Sequence, residues 1–518
     1  MSGLAFNYLS WLTVIRCRLL LAALLLVGFV GHVLYLTIDP PVGLAGDEAH
    51  YWDWSRQLDW SYYSKGPAVA VVIRFGRMLF GDTLLGVRFP ALLFAVGTSL
   101  CTYWLTNRVF KSERLALGTV ALTHVVPLFI AGSLLMTIDS PYYFCWATAT
   151  CFGYLAAVEN RRWAWPLAGM FVGLGFLAKY AALLWLVGLV IFLLLRNRPA
   201  LRTPWPWMTI GIAFAFTTPV LLWNARHDWV SFGHVARSTA EDQNGFNPLK
   251  IIAHFGELLG GQVGLLNPIV FAFIVGGVWT VLRHQRRERL LYLLCVALPF
   301  FGFVTLVTLR KNTEPNWPAP TYFTLMPLAA WFVARHWPRT RGWLIGAIGV
   351  GVGAMIVLHY STLLYPVVKV PPRQWDASAR LVGGEAIGQA VSAQLKTLGP
   401  DAMVICDKYY DAGLMAFYVD GRPKTFCSGA YAKNPDERDR LTQYDMWPDR
   451  DLSQASLRGR DAVFVGRATA DLFEAFDRVE ALPDLPIMRR GVLIRRQILW
   501  KCYGFRGMTR PQDGRTKR

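Results

Sequence analysis

The chain has 518 residues, of which 54% are hydrophobic and 17% are charged. Soluble domains carry about 25% charged residues, so this composition indicates a protein that lies in lipid. It excludes a disordered chain, which needs low hydrophobicity and high charge. The net charge is +19, but the basic residues form short clusters between apolar segments, as in the topology signals of membrane proteins. We therefore expect no nucleic acid as a partner.

Apolar segments long enough to cross about 30 Å of hydrocarbon recur up to residue 364. The clearest are 19–38, 87–106, 115–134, 141–157, 208–223, 263–282, 290–309, 318–334 and 343–364. The segment 164–195 is too long for one span, and we divide it near residues 178–180. The sequence thus predicts a polytopic α-helical membrane protein with about 11 transmembrane helices.

The distribution of charge predicts the orientation of these helices. Arginine and lysine concentrate in alternate connections, near residues 16–18, 108–114, 161–162, 196–202, 283–289 and 335–341. The positive-inside rule makes these connections cytoplasmic, and the more acidic connections 39–86, 134–140, 224–262 and 310–317 face outward. With an odd number of spans, the N-terminus is cytoplasmic and the C-terminal part lies outside the membrane.

The composition changes near residue 366. Charged residues become frequent, and short apolar strands at 402–406, 462–465 and 491–494 alternate with helical patterns at 384–398 and 468–476. We therefore predict a transmembrane domain over 1–365, an extracytoplasmic α/β domain over 366–508 and a basic tail over 509–518.

The outer connection 39–86 begins with an acidic pair. Asp47 and Glu48 follow the first span directly, where they could supply a general base or a metal ligand. The alternative is the start of a helix, with Asp47 as its N-cap and Glu48 in its first turn. We expect Asp53 and Asp59, further along the connection, to be solvated.

The same connection continues with an aromatic and basic turn. Lys65 lies in a Lys-Gly-Pro turn beside Tyr62 and Tyr63. It could bind a substrate, or it could be an interfacial lysine that contacts lipid headgroups. The following segment, 68–80, has an apolar face opposite Arg74 and Arg77, which predicts an amphipathic helix on the membrane surface.

Two further outer connections carry polar residues. Asp139 lies in the sequence Thr137-Ile138-Asp139-Ser140-Pro141, which could also be an Asx turn before a helix. The connection 310–318 holds Arg310, Lys311, Asn316 and Trp317. Two cations on the outer side oppose the general charge bias, which favours an anionic partner such as a phosphate headgroup. The histidines of 224–262 lack metal-ligand spacing.

In the order of these motifs, the chain resembles the GT-C glycosyltransferases. The acidic pair after the first span is followed by the surface helix, Tyr62-Tyr63-Ser64-Lys65-Gly66-Pro67, Phe80-Gly81-Asp82 and Val87-Arg88-Phe89-Pro90. The chain is most similar to the bacterial branch related to protein O-mannosyltransferases and to the lipid A aminoarabinose transferase. Residues 137–141 and 316–320 also match that branch. The resemblance covers roughly residues 15–365.

The resemblance implies a GT-C-like fold and an inverting sugar transferase at the outer membrane face. The donor would be a sugar on polyprenyl (undecaprenyl) phosphate, and the acceptor would be a hydroxyl. Asp47 matches the proposed base of the family, Asp139 its second acid and Lys65 the lysine that binds the donor phosphate. The aminoarabinose transferases have Glu-Lys-Pro-Pro where this chain has Ser64-Lys65-Gly66-Pro67, so a divalent metal is not supported.

The chemistry of such a transfer agrees with these roles, because it needs a base for the acceptor and cations for the phosphate. We assign catalysis to Asp47, Asp139 and Glu48. Donor phosphate binding is assigned to Lys65, Tyr62, Tyr63, Arg310 and Lys311, and acceptor or sugar binding to Asn316 and Trp317. No metal ligand is assigned and no cofactor is certain beyond the donor substrate, and the requirement for a divalent metal stays open.

Two other functions fit a polytopic protein. A multispan transporter or lipid flippase would carry ionisable groups near the bilayer midplane, whereas here the predicted spans are nearly free of charge. A non-catalytic lipid-binding subunit would have no use for Asp47. The sugar and the acceptor stay open: lipid A or its core, another envelope glycan and protein hydroxyls all fit.

Overall fold

A computed structural model describes residues 11–38, 40–239, 248–284, 287–368 and 370–511. The chain divides into two compact units. The first comprises Met1–Leu34, Lys65–Ala68 and Arg88–Ile356, and the second comprises Tyr35–Ser64, Val69–Val87 and Val357–Arg518. The first outer connection therefore groups largely with the C-terminal part of the chain. The domain limits expected from the sequence stay a prediction.

Helices dominate the chain up to residue 360. They are α1 (Val14–Thr37), α2 (Gly46–Arg56), α3 (Ala68–Phe80), α4 (Leu84–Phe110), α5 (Glu113–Thr123), α6 (Pro127–Leu134), α7 (Asp139–Ala157), α8 (Ala164–Ala178), α9 (Leu184–Arg196), α10 (Pro204–Ala215), α11 (Thr218–Ala225), α12 (Val230–Thr239), α13 (Pro248–Leu266), α14 (Pro268–His284), α15 (Glu288–Thr308), α16 (Ala319–Arg335) and α17 (Trp337–Tyr360).

Within the described residues, four helical segments are by themselves long and apolar enough to cross a membrane: α1, α4, α15 and Trp337–Leu364. Three bent pairs pass the same test together, and counting each as one span gives up to seven. The pairs are α5 with α6, bent by 75°, α10 with α11, by 40°, and α13 with α14, by 105°. The chain is thus polytopic, with several apolar helices, and the count of about 11 stays a prediction.

The structure interrupts four of the predicted apolar segments, and two of them, 115–134 and 208–223, break at the bends between α5 and α6 and between α10 and α11. Helix α8 ends at Ala178, and Lys179 is extended, with φ −147° and ψ 120°, before a short 3-10 turn. This confirms the division at residues 178–180. The predicted single span 263–282 is wrong. Asn267 has φ +72°, its side chain accepts from the Ile269 N–H at 3.1 Å, and Pro268, which has no N–H, begins a new helix.

Small residues and a buried hydroxyl hold helices α7, α9 and α15 together in the first unit. A Cβ on Gly153 of α7 would lie 2.6 Å from the Trp185 ring, so only glycine permits this approach. Trp185 Nε1 donates to Thr150 Oγ1 at 3.0 Å, and the Tyr292 hydroxyl donates to the Thr150 carbonyl at 2.9 Å. Close packing with buried hydrogen bonds is typical of helices that associate in membranes.

The C-terminal part contains a mixed sheet, which confirms its α/β composition. Its helices are α18 (Pro372–Trp375), α19 (Gly384–Leu398), α20 (Tyr409–Tyr418) and α21 (Ala470–Glu474). Its strands are β1 (Met403–Cys406), β2 (Thr425–Cys427), β3 (Ala462–Val465), β4 (Phe476–Ala481), β5 (Leu485–Arg489), β6 (Val492–Gln497) and β7 (Leu499–Phe505).

The five-stranded sheet has the order β2-β1-β3-β7-β4, and β5 pairs with β6 in a separate hairpin. Strands β1, β2 and β3 are parallel, and β7 runs antiparallel to β3 and β4. Every residue of β1 and β3 is buried, which explains their continuous apolar sequences. Polar groups therefore collect at the strand ends and in the helices that flank the sheet.

The helix predicted over 68–80 is present as α3. Val71, Phe75, Met78 and Leu79 are 48–78% exposed, whereas Val69, Ala70 and Ile73 are buried. Arg77 Nη1 donates to Ser55 Oγ at 2.8 Å, and its Nε pairs with Asp82. An exposed apolar face beside a fixed basic side suits an interfacial helix, and its location on the membrane surface stays a prediction.

Candidate active site

The acidic pair lies in the first turn of α2, where carboxylates interact favourably with the helix dipole. The predicted helix start with Glu48 in its first turn is confirmed, but the N-cap is Ala45 and not Asp47. Glu48 is fully buried, and its Oε2 accepts a hydrogen bond from the Ala45 N–H at 2.9 Å. Asp47 is exposed. Of the two carboxylates, Asp47 is accessible to a substrate and Glu48 holds the start of the helix.

Asp47 receives a hydrogen bond from a residue far along the chain. The hydroxyl of Tyr409, the first residue of α20, donates to Asp47 Oδ1 at 3.1 Å. The pKa of this hydroxyl is raised, first by burial and then by the negative charge of Asp47. Tyr409 therefore stays protonated and able to donate at physiological pH.

Asp53 lies on another side of α2 and is fully buried. Arg450 donates to both of its oxygens, at 2.6 and 3.1 Å, and the Tyr444 hydroxyl adds a third hydrogen bond at 3.0 Å. The expectation that Asp53 is solvated is therefore wrong, because a residue 397 positions later covers it. Asp59 is exposed, as expected.

The two tyrosines of the predicted donor site are buried within the connection. The Tyr62 ring stacks on Trp54 with centroids 4.3 Å apart, and its hydroxyl donates to the carbonyls of Trp54 and Gln57, at 3.2 and 3.1 Å. The Tyr63 N–H donates to the Gln443 side chain at 2.7 Å. These contacts stabilise the loop and leave the Tyr62 hydroxyl engaged with backbone.

Lys65 is partly exposed and is followed by a tightly packed glycine. A Cβ on Gly66 would collide with the carbonyl oxygen of Leu177, near the end of α8. Glycine is needed here because the backbone of the loop touches the backbone of the helix. The contact fixes the chain directly after Lys65.

Asp139 begins α7 and forms the centre of a polar cluster. Its Oδ1 accepts from Lys179 Nζ at 2.8 Å, and its Oδ2 accepts from Asn316 Nδ2 at 3.1 Å. The side chains of Lys179 and Asp139 are 20% and 16% exposed. Lys179 Nζ also lies 5.5 Å from the centre of the Tyr142 ring. Two of the predicted site residues, Asp139 and Asn316, are thus in direct contact.

Lys179 is not among the site residues predicted from the sequence, although the sequence pattern around it indicates a functional residue. It is the only charged residue within 164–195, and it occupies the predicted break in that segment. An ionisable residue inside an apolar segment is by default a candidate for function. The structure explains the break, since the extended backbone at Lys179 ends α8 next to Asp139.

The connection 310–318 is anchored by backbone contacts around Asn316. The carbonyl of Pro315 accepts from Gln262 Nε2 at 2.9 Å, and Gln262 Oε1 accepts from the Tyr322 hydroxyl at 2.6 Å. Trp317 packs partly buried against the core of the first unit. Arg310 is exposed and Lys311 is partly exposed. Among the described parts of the chain, no group of three or more His, Cys, Asp or Glu residues could hold a metal ion.

Residues 64–223 match the family model of dolichyl-phosphate-mannose-protein mannosyltransferases. The chain is 26% identical over 366 residues to the lipid A galacturonosyltransferase RgtD of Rhizobium johnstonii. The alignment covers 69% of this chain and 74% of that protein. It is 24% identical over 378 residues to the undecaprenyl phosphate-alpha-4-amino-4-deoxy-L-arabinose arabinosyl transferase of Pseudomonas savastanoi, over 67% of this chain and 68% of that one.

The fold is similar to that of a solved membrane protein. The crystal structure of ArnT from Cupriavidus metallidurans in the apo state superimposes with a TM-score of 0.65 at 18% identity, over 93% of this chain and 97% of that one. The same protein bound to undecaprenyl phosphate gives a TM-score of 0.64. The resemblance seen in the sequence is confirmed: the chain is similar in sequence to the mannosyltransferase family model and to the two glycosyltransferases above, and similar in fold to ArnT.

Proposed function

We propose that this glycosyltransferase moves a sugar from undecaprenyl phosphate to a hydroxyl of lipid A or its core, with inversion of the anomeric carbon. One observation carries the proposal: the chain aligns over 69% of its length with a lipid A galacturonosyltransferase. The second relative is named for an undecaprenyl phosphate sugar, which supports the same class of donor. The experiment that tests it compares lipid A masses from cells with and without the protein, where we expect a difference of one sugar residue.

In the proposed reaction, Asp47 is the general base. The acceptor hydroxyl is a weak nucleophile, so its proton is drawn away while its oxygen bonds to the anomeric carbon. The bond from that carbon to the phosphate oxygen breaks on the opposite side, and its electron pair stays with the phosphate. The exposure of Asp47 supports this role, and the cap formed by Glu48 argues against Glu48 as the base.

Asp139 has a different role in this proposal. Both of its oxygens already accept hydrogen bonds, from Lys179 and from Asn316. We therefore assign Asp139, with Asn316, to orienting the acceptor or the sugar.

Lys65 is the proposed partner of the donor phosphate. The phosphate diester carries one negative charge, and the departing undecaprenyl phosphate carries a second that develops in the transition state. Only the stabilisation of this added charge accelerates the reaction. Arg310 and Lys311 stay predictions for the same role. Tyr62 is left out, because its hydroxyl is bonded to backbone carbonyls.

Replacing Lys65 by alanine is expected to lower kcat/KM for the donor by roughly 10- to 100-fold, the usual range for losing a hydrogen bond to a charged group. Lys65→Arg should restore part of the loss, since arginine keeps the charge but has a wider, planar head. Initial rates at limiting and saturating donor measure both. Lys111→Ala, at an exposed lysine of the α4–α5 connection, is the control. Equal rates for wild type and Lys65→Ala would exclude this role.

We propose that the protein lies in the bacterial inner membrane with its N-terminus in the cytoplasm and residues 366–508 in the periplasm. Reporter fusions after Arg114 and Arg289 should then be cytoplasmic, and fusions near Asp82 and Glu437 should be periplasmic. A cytoplasmic signal at Glu437 would contradict the orientation. It would also separate Asp47 from a lipid A acceptor at the outer face.

A further inference from the structure

Helix α2, which carries Asp47, is packed tightly against α20. Eight of the eleven residues of α2 are buried. A Cβ on Gly413 of α20 would lie 2.7 Å from the His50 nitrogen, and one on Gly46 would lie 2.5 Å from Tyr410 Cβ. The two helices therefore touch through their backbones, and small shifts of α20 would be transmitted to Asp47.

The same face of α2 also carries the buried pair of Asp53 and Arg450, because Gly46, His50 and Asp53 are spaced by four and three residues. Asp53 follows Asp47 by six residues, which at about 100° per residue places it on a different face of the helix. Because this one face is both in contact with α20 and bonded to Arg450, the helix has a defined rotation. The side chain of Asp47 is nevertheless exposed, so its own torsions need a further restraint.

Tyr409 supplies that restraint. Its hydroxyl donates to Asp47 Oδ1 at 3.1 Å. The guanidinium of Arg440 lies beside Tyr409, 5.7 Å from the centre of its ring. A nearby positive charge polarises the hydroxyl and makes it a stronger donor to its own acceptor. Arg440 thus contacts Tyr409, and Tyr409 in turn holds one oxygen of the Asp47 carboxylate.

We propose that Tyr409, supported by Arg440, is a positioning residue for the catalytic base. The inference rests on the proposed function, in which Asp47 is that base. By holding Oδ1, Tyr409 directs Oδ2 toward the acceptor proton and limits the carboxylate to one orientation. Tyr409 lies outside residues 64–223, which the family model matches, and it gives the C-terminal part of the chain a direct role in transfer.

The test is the Tyr409→Phe variant of the full-length enzyme, which keeps the ring and removes the hydroxyl. We expect kcat to fall about 10-fold, as for the loss of a hydrogen bond to a charged group, while KM for the undecaprenyl phosphate sugar is unchanged. Tyr410→Phe is the matched control, because Tyr410 is the next residue of α20 and its side chain is 40% exposed. Its kcat should equal that of wild type.

A double-mutant cycle separates positioning from a general structural role. If Tyr409 acts through Asp47, adding Tyr409→Phe to Asp47→Asn lowers kcat no further. Multiplied losses would overturn the inference, as would a normal kcat for Tyr409→Phe when Asp47→Asn is impaired. In both cases the proposed base survives. A normal kcat for Asp47→Asn would instead remove the proposed base, and the positioning role with it.

Discussion

Replacing Asp47 by asparagine is expected to lower kcat by about 10²-fold or more while membrane insertion and donor binding are retained. The amide keeps the size of the side chain and can still accept from Tyr409, but it cannot take up the acceptor proton. General-base groups typically contribute about 10² to 10⁴ in rate. The measurement is transfer by purified enzyme with a labelled undecaprenyl phosphate sugar, together with a donor-binding assay.

Two variants in the same connection serve as comparisons for Asp47→Asn. Asp59→Asn removes an exposed carboxylate and should leave kcat unchanged. Glu48→Gln keeps an oxygen that can accept from the Ala45 N–H, so we expect a smaller loss than for Asp47→Asn. If Asp47→Asn has near-normal kcat while Glu48→Gln or Asp139→Asn abolishes transfer, the base is misassigned and the other carboxylate takes that role.

The Arg450→Ala variant is expected to destabilise the second unit by about 3 to 5 kcal/mol, because it removes the buried cation that donates to both oxygens of Asp53. The cation that remains, Arg56, is partly exposed and 3.4 Å from Asp53 Oδ1. Arg450 and Asp53 have side chains 1% and 0% exposed. For a unit of this size, the loss corresponds to a fall in Tm of roughly 6 to 20 °C. Thermal unfolding of the purified protein, followed by tryptophan fluorescence, measures it. Greater protease cleavage of the C-terminal part should accompany it.

An exposed ion pair of the same unit provides the control for Arg450→Ala. Arg506 and Asp477 are 2.7 Å apart, with side chains 60% and 61% exposed, and such surface pairs contribute about 0 to 1 kcal/mol. Arg506→Ala should therefore hardly change Tm. Equal Tm values for Arg450→Ala and Arg506→Ala would show that the buried pair does not hold α2 in place.

The features of the fold that depend on local sequence could be predicted. The apolar segments correspond to helices, Lys179 interrupts the longest of them, and the buried strands β1 and β3 are continuous apolar runs. The bend at Asn267 was missed because the apolar sequence continues across it. Hydropathy alone does not register that Pro268 removes a backbone donor.

The contacts of the candidate site were harder to predict, because most of them join residues far apart in the chain. Asp53 looks like a surface acid in sequence, and its partner Arg450 is 397 residues away. Tyr409, 362 residues from Asp47, lies in a segment that carries no recognised motif. Lys179 was the exception, since a lone lysine in an apolar segment is visible without the structure.

Sequence patterns also do not distinguish a polar side chain that meets substrate from one that satisfies the backbone. Glu48 and Tyr62 belong to the same acidic and aromatic connection as Asp47 and Lys65. In the structure, the Glu48 carboxylate accepts from the Ala45 N–H at the start of α2, and the Tyr62 hydroxyl donates to two backbone carbonyls. Buried backbone groups must be paired, and these two side chains provide that pairing.

The most direct measurement is the transfer reaction with purified enzyme, undecaprenyl phosphate sugars extracted from the native membrane, and lipid A. We predict that mass spectrometry will show lipid A heavier by one sugar residue and an equal amount of undecaprenyl phosphate released, with wild type and not with Asp47→Asn. Unmodified lipid A, with the sugar found instead on protein or on another envelope glycan, would contradict the proposed function.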